Sequence, residues 1–235
     1  PGSQRYPIGF SGDTVASWDA LKFQPYFTAT ASNIGYGWWS HDIGGHAGYT
    51  DPELITRWVQ LGVFSPILRV HSGQSDFLRK EPWNFPGEYR PIVEHSLRLR
   101  YRLFPYLYTM NYRCHNELRQ LVEPMYYAYS KCDEAYRVLT QFMFGSELMI
   151  APVTAPRDKK SGLAETEVWL PKGDWFDLAN GLHYAAADTH RRIRTFRPID
   201  GYPAFAKAGA IVPMMIRPPH EHRCMPAEHL EILVF

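Results

Sequence analysis

The sequence predicts an α/β fold in residues 1–121 and an antiparallel β domain in residues 122–235. Before residue 121, segments that resemble strands and helices alternate three times, which is typical of parallel βα units. After it, short apolar stretches are separated by Gly, Pro and Asp, as in LMIAPV, TEVWLP and YPAFAKAGAIVP. These short stretches indicate antiparallel strands, and we expect them to form a β-sandwich.

Three strands are predicted in the first part. Residues 7–12, PIGFSG, read as a short strand that ends in a glycine turn. Residues 34–40, IGYGWWS, form the next strand, and their glycines let another group approach the backbone closely. Residues 63–70, VFSPILRV, are predicted to be the third strand.

The segments between these strands predict helices. Ser17 and Asp19 are candidate N-caps for a helix over residues 17–31. A second helix is predicted over residues 51–62, because a proline near its start suits the first turn and a glycine is expected to end it. The apolar pattern of residues 92–120 predicts the longest helix, with a kink at Pro105.

Composition excludes several classes of function. The chain has 235 residues, a formal net charge of +1 and 15% aromatic residues. This charge gives no basis for binding nucleic acid or an anionic membrane, and no stretch reaches the roughly 18 apolar residues of a membrane span. The three cysteines, Cys114, Cys132 and Cys224, show no metal-binding spacing. Their odd number argues against a disulfide framework and favours a reducing compartment, with a weak preference for the cytoplasm.

The three predicted strand ends carry polar or charged residues. They read FSGD, WSHDIGGH and LRVHSG, which places Asp13, Asp42 and His71 at the same relative position. Parallel strands present these ends on one side of a barrel, where the chemistry of such folds lies. Arg69 stands two residues before His71 and therefore points to the same face of a regular strand.

This set of residue types suits carbohydrate chemistry. Cleavage of a glycosidic bond needs a carboxylic acid that protonates the leaving oxygen and a second carboxylate on the other face of the sugar. Sugar hydroxyls are bound by carboxylate, His and Arg side chains, and sugar faces pack on aromatic rings. Each residue also has an ordinary structural alternative. Asp13 and Asp42 can stabilise turns, His71 can be a core or loop histidine, and Arg69 can pair with a surface acid.

Four stretches resemble glycoside hydrolase family 31 in their order and spacing: SGDTVASWDAL, GWWSHDIGGH, RWVQLGVFSPILRVHS and RLRYRLFPYLYT. The later FMFGSELMIAPV, VWLPKGDWFDLANG and AFAKAGAIVPM look like the sheet domain that follows the family's barrel. The resemblance implies that residues 1–121 are the second part of a (β/α)8 TIM barrel. It also implies that residues 122–235 are the adjoining β-sandwich domain, truncated at its end.

The resemblance also implies roles for individual residues. In the FSGD motif, Asp13 would be the general acid/base. Five residues would contact the substrate: Phe10, Asp42, His46, Arg69 and His71. Phe10 replaces a position that is often Trp, and His46 replaces one that is often aromatic. No metal or other cofactor is implied, because the chemistry of the family uses carboxylates.

One motif of the family has no counterpart here. Its nucleophile is an aspartate on an earlier strand, in a segment resembling W-x-D-M-N-E, and nothing in this chain matches it. The chain opens at PGSQRYPIGF without Met and stops at HLEILVF, so we expect a fragment whose partner is the missing N-terminal part of the same enzyme. Alone, the fragment is expected to be inactive, and also unstable, because half a barrel exposes sheet edges.

The predicted function is that of a retaining α-glucosidase. The complete enzyme would release terminal non-reducing α-linked glucose from an oligosaccharide or α-glucoside. An α-xylosidase or another α-glycosidase of the family is the first alternative. A catalytically decayed sugar-binding protein is the second, although binding alone needs no proton donor. A nucleotide-binding protein has little support, because the single glycine pair matches no phosphate-binding motif.

Overall fold

The computed structural model describes residues 2, 5–6, 8–48, 51–74, 79–216 and 229–235. Its first part contains two short parallel strands, β1 (Ile8–Phe10) and β2 (Trp38–Ser40). The five helices of the described residues are α1 (Trp18–Ala31), α2 (Pro52–Val63), α3 (Tyr89–Arg102), α4 (Phe104–Glu117) and α5 (Met125–Ala128). None of these helices combines the length and the apolar character that a membrane span requires.

The starts of α1 and α2 follow the capping chemistry of the sequence. Ser17 Oγ accepts a hydrogen bond from the backbone N–H of Ala20 at 3.1 Å, which confirms Ser17 as the N-cap. Asp51 caps α2 in the same way, with Oδ1 2.9 Å from the backbone nitrogen of Glu53. Each cap satisfies a helix N–H that has no partner within the helix.

The second and third predicted strands are wrong in extent. Residues Ser32–Ile34 form a 3-10 turn, and Gly35 adopts a left-handed conformation at φ 83°, so β2 begins only at Trp38. The predicted strand over residues 63–70 is instead the end of α2 followed by a turn. A single parallel bridge between Ile43 and Val70 remains in the place of a third strand.

The long helix predicted over residues 92–120 is two helices. α3 ends before Leu103, and α4 begins at Phe104 with Pro105 in its first turn. Proline has no N–H to donate and clashes with the carbonyl four residues earlier, so the chain starts a new helix where a kink was predicted. α4 ends before Leu118, which adopts a left-handed conformation at φ 58°.

The second part is built from antiparallel strands, as the sequence predicts. Its strands are β3 (Val122–Pro124), β4 (Phe142–Phe144), β5 (Leu148–Ile150), β6 (Ala164–Leu170), β7 (Gly173–Asp177), β8 (His183–Ala186), β9 (Arg191–Arg197), β10 (Ala204–Lys207), β11 (Ile211–Met215) and β12 (Leu230–Val234). Six of them form one sheet in the order β3-β4-β5-β10-β7-β8, while β6 pairs with β9 and β11 pairs with β12.

Both faces of the six-stranded sheet are buried in β3, β4, β5 and β10. Alternation along β4 places Phe142 and Phe144 in the same core as the helices of the first part, and Met143 in a second core. Val168 and Trp169 of β6 belong to the second core, so the β6–β9 pair packs on the outer face of the sheet. The layered arrangement is therefore sandwich-like, with the barrel helices against the inner face.

Arg57 joins the two parts of the chain. This buried side chain on α2 donates Nη1 to the carbonyl of Gly201 at 2.6 Å and Nη2 to that of Pro198 at 2.9 Å. Gln60, one turn later, donates to the carbonyl of Ile199 at 2.7 Å. Burial lowers the pKa of Arg57 to about 10. Helix α2 is thereby fixed between the strand ends on one side and the β domain on the other.

Candidate active site

The three strand ends meet at one edge of the first part. β1 ends at Phe10 and is followed by Asp13, while β2 is followed by Asp42. His71 comes directly after Val70, which forms a parallel β-bridge with Ile43 in the segment that follows β2 in the chain. Because all three segments run in the same direction, their carboxyl ends lie side by side, as the sequence predicts. The six residues predicted for the site therefore lie in one cluster, in contact with one another.

Asp42 forms the buried centre of this cluster. Its Oδ1 accepts a hydrogen bond from Nη2 of Arg69 at 2.7 Å, and its Oδ2 accepts one from the backbone N–H of Thr14 at 3.3 Å. Nε2 of His71 lies 3.8 Å from Oδ1. The side chain of Asp42 has 0% accessible surface. Arg69, by contrast, is 38% accessible. The contact between Asp42 and the substrate stays a prediction.

Arg69 organises the groups around Asp42. Its Nε lies 3.3 Å from Ser40 Oγ, its Nη1 lies 2.8 Å from Nδ1 of His71, and its guanidinium carbon lies 5.1 Å from the centre of the Phe10 ring. A guanidinium only donates, so Nδ1 of His71 accepts and a neutral His71 carries its proton on Nε2. That nitrogen lies 3.0 Å from Nδ1 of His46, which therefore accepts.

Asp13 lies at the open side of the cluster. Its Oδ1 is 3.7 Å from Nδ1 of His46, and 68% of its side chain is accessible. The ring of Phe10 is also exposed. The carboxyl group is consequently free to contact a ligand, in contrast to that of Asp42.

The loop that follows Asp42 in the chain requires glycine at two positions. Gly44 and Gly45 have φ values of 88° and 81°, which side chains of L-residues rarely adopt. A Cβ on Gly45 would stand 2.7 Å from the backbone nitrogen of Ala16. The backbone N–H of Gly45 bonds to the carbonyl of Asp42 at 2.9 Å, so the turn is tight. The glycines thus let the loop pass close to the segment that carries Asp13.

A buried histidine lies beneath the site. The indole N–H of Trp58 donates to Nδ1 of His41 at 3.1 Å, so Nε2 carries the proton and donates to Ser65 Oγ at 2.9 Å. Ser65 in turn donates to the carbonyl of Leu61 at 3.0 Å. Burial, with a smaller contribution from the charge of Arg69, lowers the pKa of His41 to about 3. The neutral ring connects the backbone next to Asp42 to helix α2.

The ligand types in the cluster raise the question of a metal ion. One atom each of Asp13, Asp42, His46 and His71 lies within 4.8 Å of the others. However, the guanidinium of Arg69 already binds both Asp42 and His71, and it places a positive charge where a divalent cation would sit. We therefore interpret the cluster as a hydrogen-bonding site.

Lys80 is the main residue that sequence analysis missed. Its ammonium group donates to the carbonyl of Gly45 and, at 2.9 Å, to that of His71. It stands in a stretch, RKEPW, that shows no apolar periodicity and no motif. Ser40 and Thr14 were also missed, although they follow or flank the predicted motifs. Only the packing of the loops shows that these groups hold the site.

Two family profiles match the chain. The profile described as "Glycosyl hydrolases family 31 TIM-barrel domain" matches residues 1–110. The profile described as "Glycosyl hydrolase family 31 C-terminal domain" matches residues 119–212. The two matches follow one another in the order of the two structural parts.

Curated relatives include two mammalian enzymes. Neutral alpha-glucosidase C of Mus musculus is 32% identical over 215 residues, which cover 91% of this chain and 23% of the relative. Neutral alpha-glucosidase AB of Homo sapiens is 30% identical over 235 residues, which cover 99% of this chain and 24% of the relative. The chain thus spans about a quarter of the length of the curated relatives it matches.

Solved structures are similar over most of the chain. A Flavobacterium johnsoniae GH31 dextranase complexed with isomaltotriose has a TM-score of 0.81 and 31% identity, covering 91% of this chain and 26% of the other. A GH31 alpha-xylosidase from Xanthomonas citri has a TM-score of 0.77 and 28% identity, covering 87% of this chain and 23% of the other.

Proposed function

This chain belongs to glycoside hydrolase family 31, and from that premise we propose that it carries part of the active site of a retaining α-glycosidase. In the complete protein, Asp13 is the general acid/base. The observation that carries this assignment is the contrast between two aspartates in one cluster, Asp13 with 68% of its side chain accessible and Asp42 with 0%. Of these two carboxyl groups, that of Asp13 is the one accessible to a glycosidic oxygen.

The other residues of the cluster bind the sugar. The guanidinium of Arg69 presents N–H groups to its hydroxyls. The partly accessible ring of His71, whose Nε2–H is directed at His46, contacts the sugar beside Arg69, and Asp42 acts through the two residues that lie against it. His46 and Phe10 form a wall beside the reacting ring, and Phe10 offers it an aromatic face. This assignment keeps all five predicted contact residues, while giving Asp42 an indirect part.

The nucleophile comes from a part of the enzyme outside these residues. Retaining chemistry needs two carboxyl groups about 5–5.5 Å apart. Asp42 is near enough to Asp13, but a carboxylate without accessible surface that is bound to a guanidinium cannot attack an anomeric carbon. The chain spans about a quarter of the length of its relatives, which supports a nucleophile elsewhere in the complete protein. The resemblance to the family implies an earlier barrel strand. The 235-residue chain alone is accordingly proposed to be inactive.

The proposed substrate is a terminal α-linked glucose at a non-reducing end. The alpha-glucosidases among the curated relatives support it. Similarity to an alpha-xylosidase structure keeps xylose as the alternative. Glucose differs from xylose by its 6-hydroxymethyl group, and we assign no residue of the cluster to a contact with that group.

Hydrolysis of aryl glycosides by the complete protein tests the proposal. The protein is assayed on aryl α-glucoside, α-xyloside and α-galactoside, and NMR reports the anomer released first. We expect α-glucose from the glucoside and little xylose. Release of the β-anomer would contradict a retaining mechanism, and preference for the xyloside would change the substrate. Activity on none of the three would favour a sugar-binding protein.

A further inference from the structure

We infer that Lys80 is a positioning residue of this site, which fixes the loop carrying Asp42 and His46 against the segment carrying Arg69 and His71. This inference rests on the function proposed above. Only 4% of the surface of Lys80 is accessible, so its ammonium group is almost fully removed from water. A buried cation needs hydrogen-bond partners, and it finds them in two carbonyls.

The two carbonyls belong to the two catalytic loops. One is that of Gly45, between Asp42 and His46 in the chain, and the other is that of His71 itself. A single side chain therefore binds the backbone of both segments, from a third position in the sequence. If these bonds are lost, each carbonyl loses its ammonium donor. The free-energy cost of an unsatisfied carbonyl then favours rotation of its peptide group.

The lysine stem also fits the loop closely. A Cβ added to Gly44 would lie 2.9 Å from Cδ of Lys80 and 3.3 Å from Cγ2 of Ile55. The absence of a side chain at Gly44 thus makes room for the lysine between the loop and helix α2. Gly44 and the stem of Lys80 therefore pack directly against each other.

Main-chain hydrogen bonds join the same two segments at two points, and Lys80 binds the two segments between these points. Ile43 exchanges hydrogen bonds with Arg69 and His71, at 3.3 and 3.1 Å, near the strand ends. Further out, the N–H of Gly73 bonds to the carbonyl of His46 at 2.6 Å. The ammonium group binds between these points, behind Asp42. Loss of this bond is expected to change the angle at which Arg69 and His71 face the sugar.

The charge of Lys80 predicts a specific pH dependence of kcat/KM. Burial lowers the pKa of Lys80 to about 8, and the charge of the Asp42 carboxylate opposes this shift. Arg69 and His71 lie against the same carboxylate, and the backbone carbonyl of His71 accepts from the ammonium group. Above about pH 8 the amine is neutral, so its hydrogen bonds to the carbonyls weaken. We therefore expect kcat/KM to show an alkaline limb near pH 8.

Two substitutions in the complete protein test this role. Lys80→Met keeps the length of the stem and removes the donors, whereas Lys80→Arg keeps a charged donor that stays protonated in the assay range. Lys22→Met, at an exposed position of α1, is the matched control. We expect Lys80→Met to lower kcat/KM by up to about 100-fold, the usual effect of misplacing a reacting geometry by 1 Å. The control should remain within about twofold of the parent protein.

The pH profile separates positioning from simple stability. In Lys80→Arg the limb near pH 8 should move upward or disappear, while the thermal midpoint stays close to that of the parent protein. The inference is overturned if both variants keep the limb, or if Lys80→Met matches Lys22→Met in kcat/KM. Should Lys80→Met not fold, the limb in Lys80→Arg decides alone. A parent protein without any glycosidase activity would refute the proposed function instead.

Discussion

The guanidinium of Arg69 lies 2.7 Å from the buried carboxylate of Asp42 and holds it away from solvent. Arg69 itself remains 38% exposed. The buried carboxylate of Asp42 therefore orients the accessible guanidinium of Arg69. In the proposed function, Asp42 accordingly supports sugar binding through Arg69. It also separates Asp42 from Asp13, although both follow neighbouring strands.

Replacing Arg69 with lysine should impair substrate binding more than folding. Arg69 uses three nitrogens for three partners: Ser40, Asp42 and His71. A lysine has one nitrogen and cannot reproduce this planar set of bonds. We expect kcat/KM on the aryl α-glucoside to fall by about 10²-fold or more in the complete protein.

The control for this prediction is Arg98→Lys, at an exposed position on α3 with an ion pair to Glu94. It should leave kcat/KM within about twofold of the parent value. Equal kinetics of Arg69→Lys and Arg98→Lys would show that the Arg69 fork has no part in binding.

Removing the carboxyl group of Asp13 should remove acid/base catalysis. Asp13→Ala is expected to lower turnover of an unactivated α-glucoside by roughly 10²–10⁴-fold. The loss should be smaller for an aryl glucoside with a good leaving group, because such a group departs with less protonation. Asp188→Ala, in an exposed loop of the β domain, is the control. Equal losses on both substrates would contradict the role of Asp13 as the acid.

The clustering of the candidate site residues could be predicted from sequence because they follow a local rule. Asp13, Asp42 and His71 each come directly after a segment that runs parallel to its neighbours, so their order in the chain fixes their side of the barrel. The accessibility of each carboxylate could not be predicted. It depends on which loop covers Asp42, and hence on contacts between residues that are about 30 positions apart in the chain.

Element boundaries were harder to predict for a physical reason. The segment VFSPILRV has the apolar, β-branched composition of a strand, yet its first residue completes α2 and only Val70 pairs. Helix α2 is buried on nearly all sides, so its apolar run continues into the next segment without a polar break. Burial of Phe64 against Phe144 and Tyr202 settles the conformation, and these partners lie in the second part.

Substitution of Gly45 should destabilise the protein through a clash with the backbone. Gly45→Ala forces an alanine to φ 81° and brings its Cβ within 2.7 Å of the Ala16 backbone nitrogen. Gly181→Ala is the matched control, since Gly181 has φ 71° and no atom within 4 Å of an added Cβ. The control isolates the cost of the left-handed conformation, about 1 kcal/mol. We expect a larger fall in thermal midpoint for Gly45→Ala, and a loss of activity that the control lacks. Equal thermal midpoints of the two variants would show that the loop accommodates the added Cβ without a loss of stability.

Acid should destabilise the fold through His41. The folded-state pKa of about 3 lies below the ordinary value of 6.5, because the ring is buried and neutral. Between these two values the unfolded chain binds a proton that the folded chain does not, so stability falls as pH falls from about 6.5 toward 3. One such group contributes a slope of up to about 1.4 kcal/mol per pH unit.

Replacing His41 with glutamine should remove this contribution. Glutamine offers an acceptor toward Trp58 and a donor toward Ser65 but does not titrate, so the unfolding free energy of His41→Gln should change less between about pH 4 and pH 6.5. Urea unfolding over this range measures the difference in slope. His95→Gln, at an exposed position of α3, should retain the slope of the parent protein. A slope that is unchanged in His41→Gln would mean that His41 takes up its proton in the folded state, and that the Trp58–His41–Ser65 chain does not require the neutral ring.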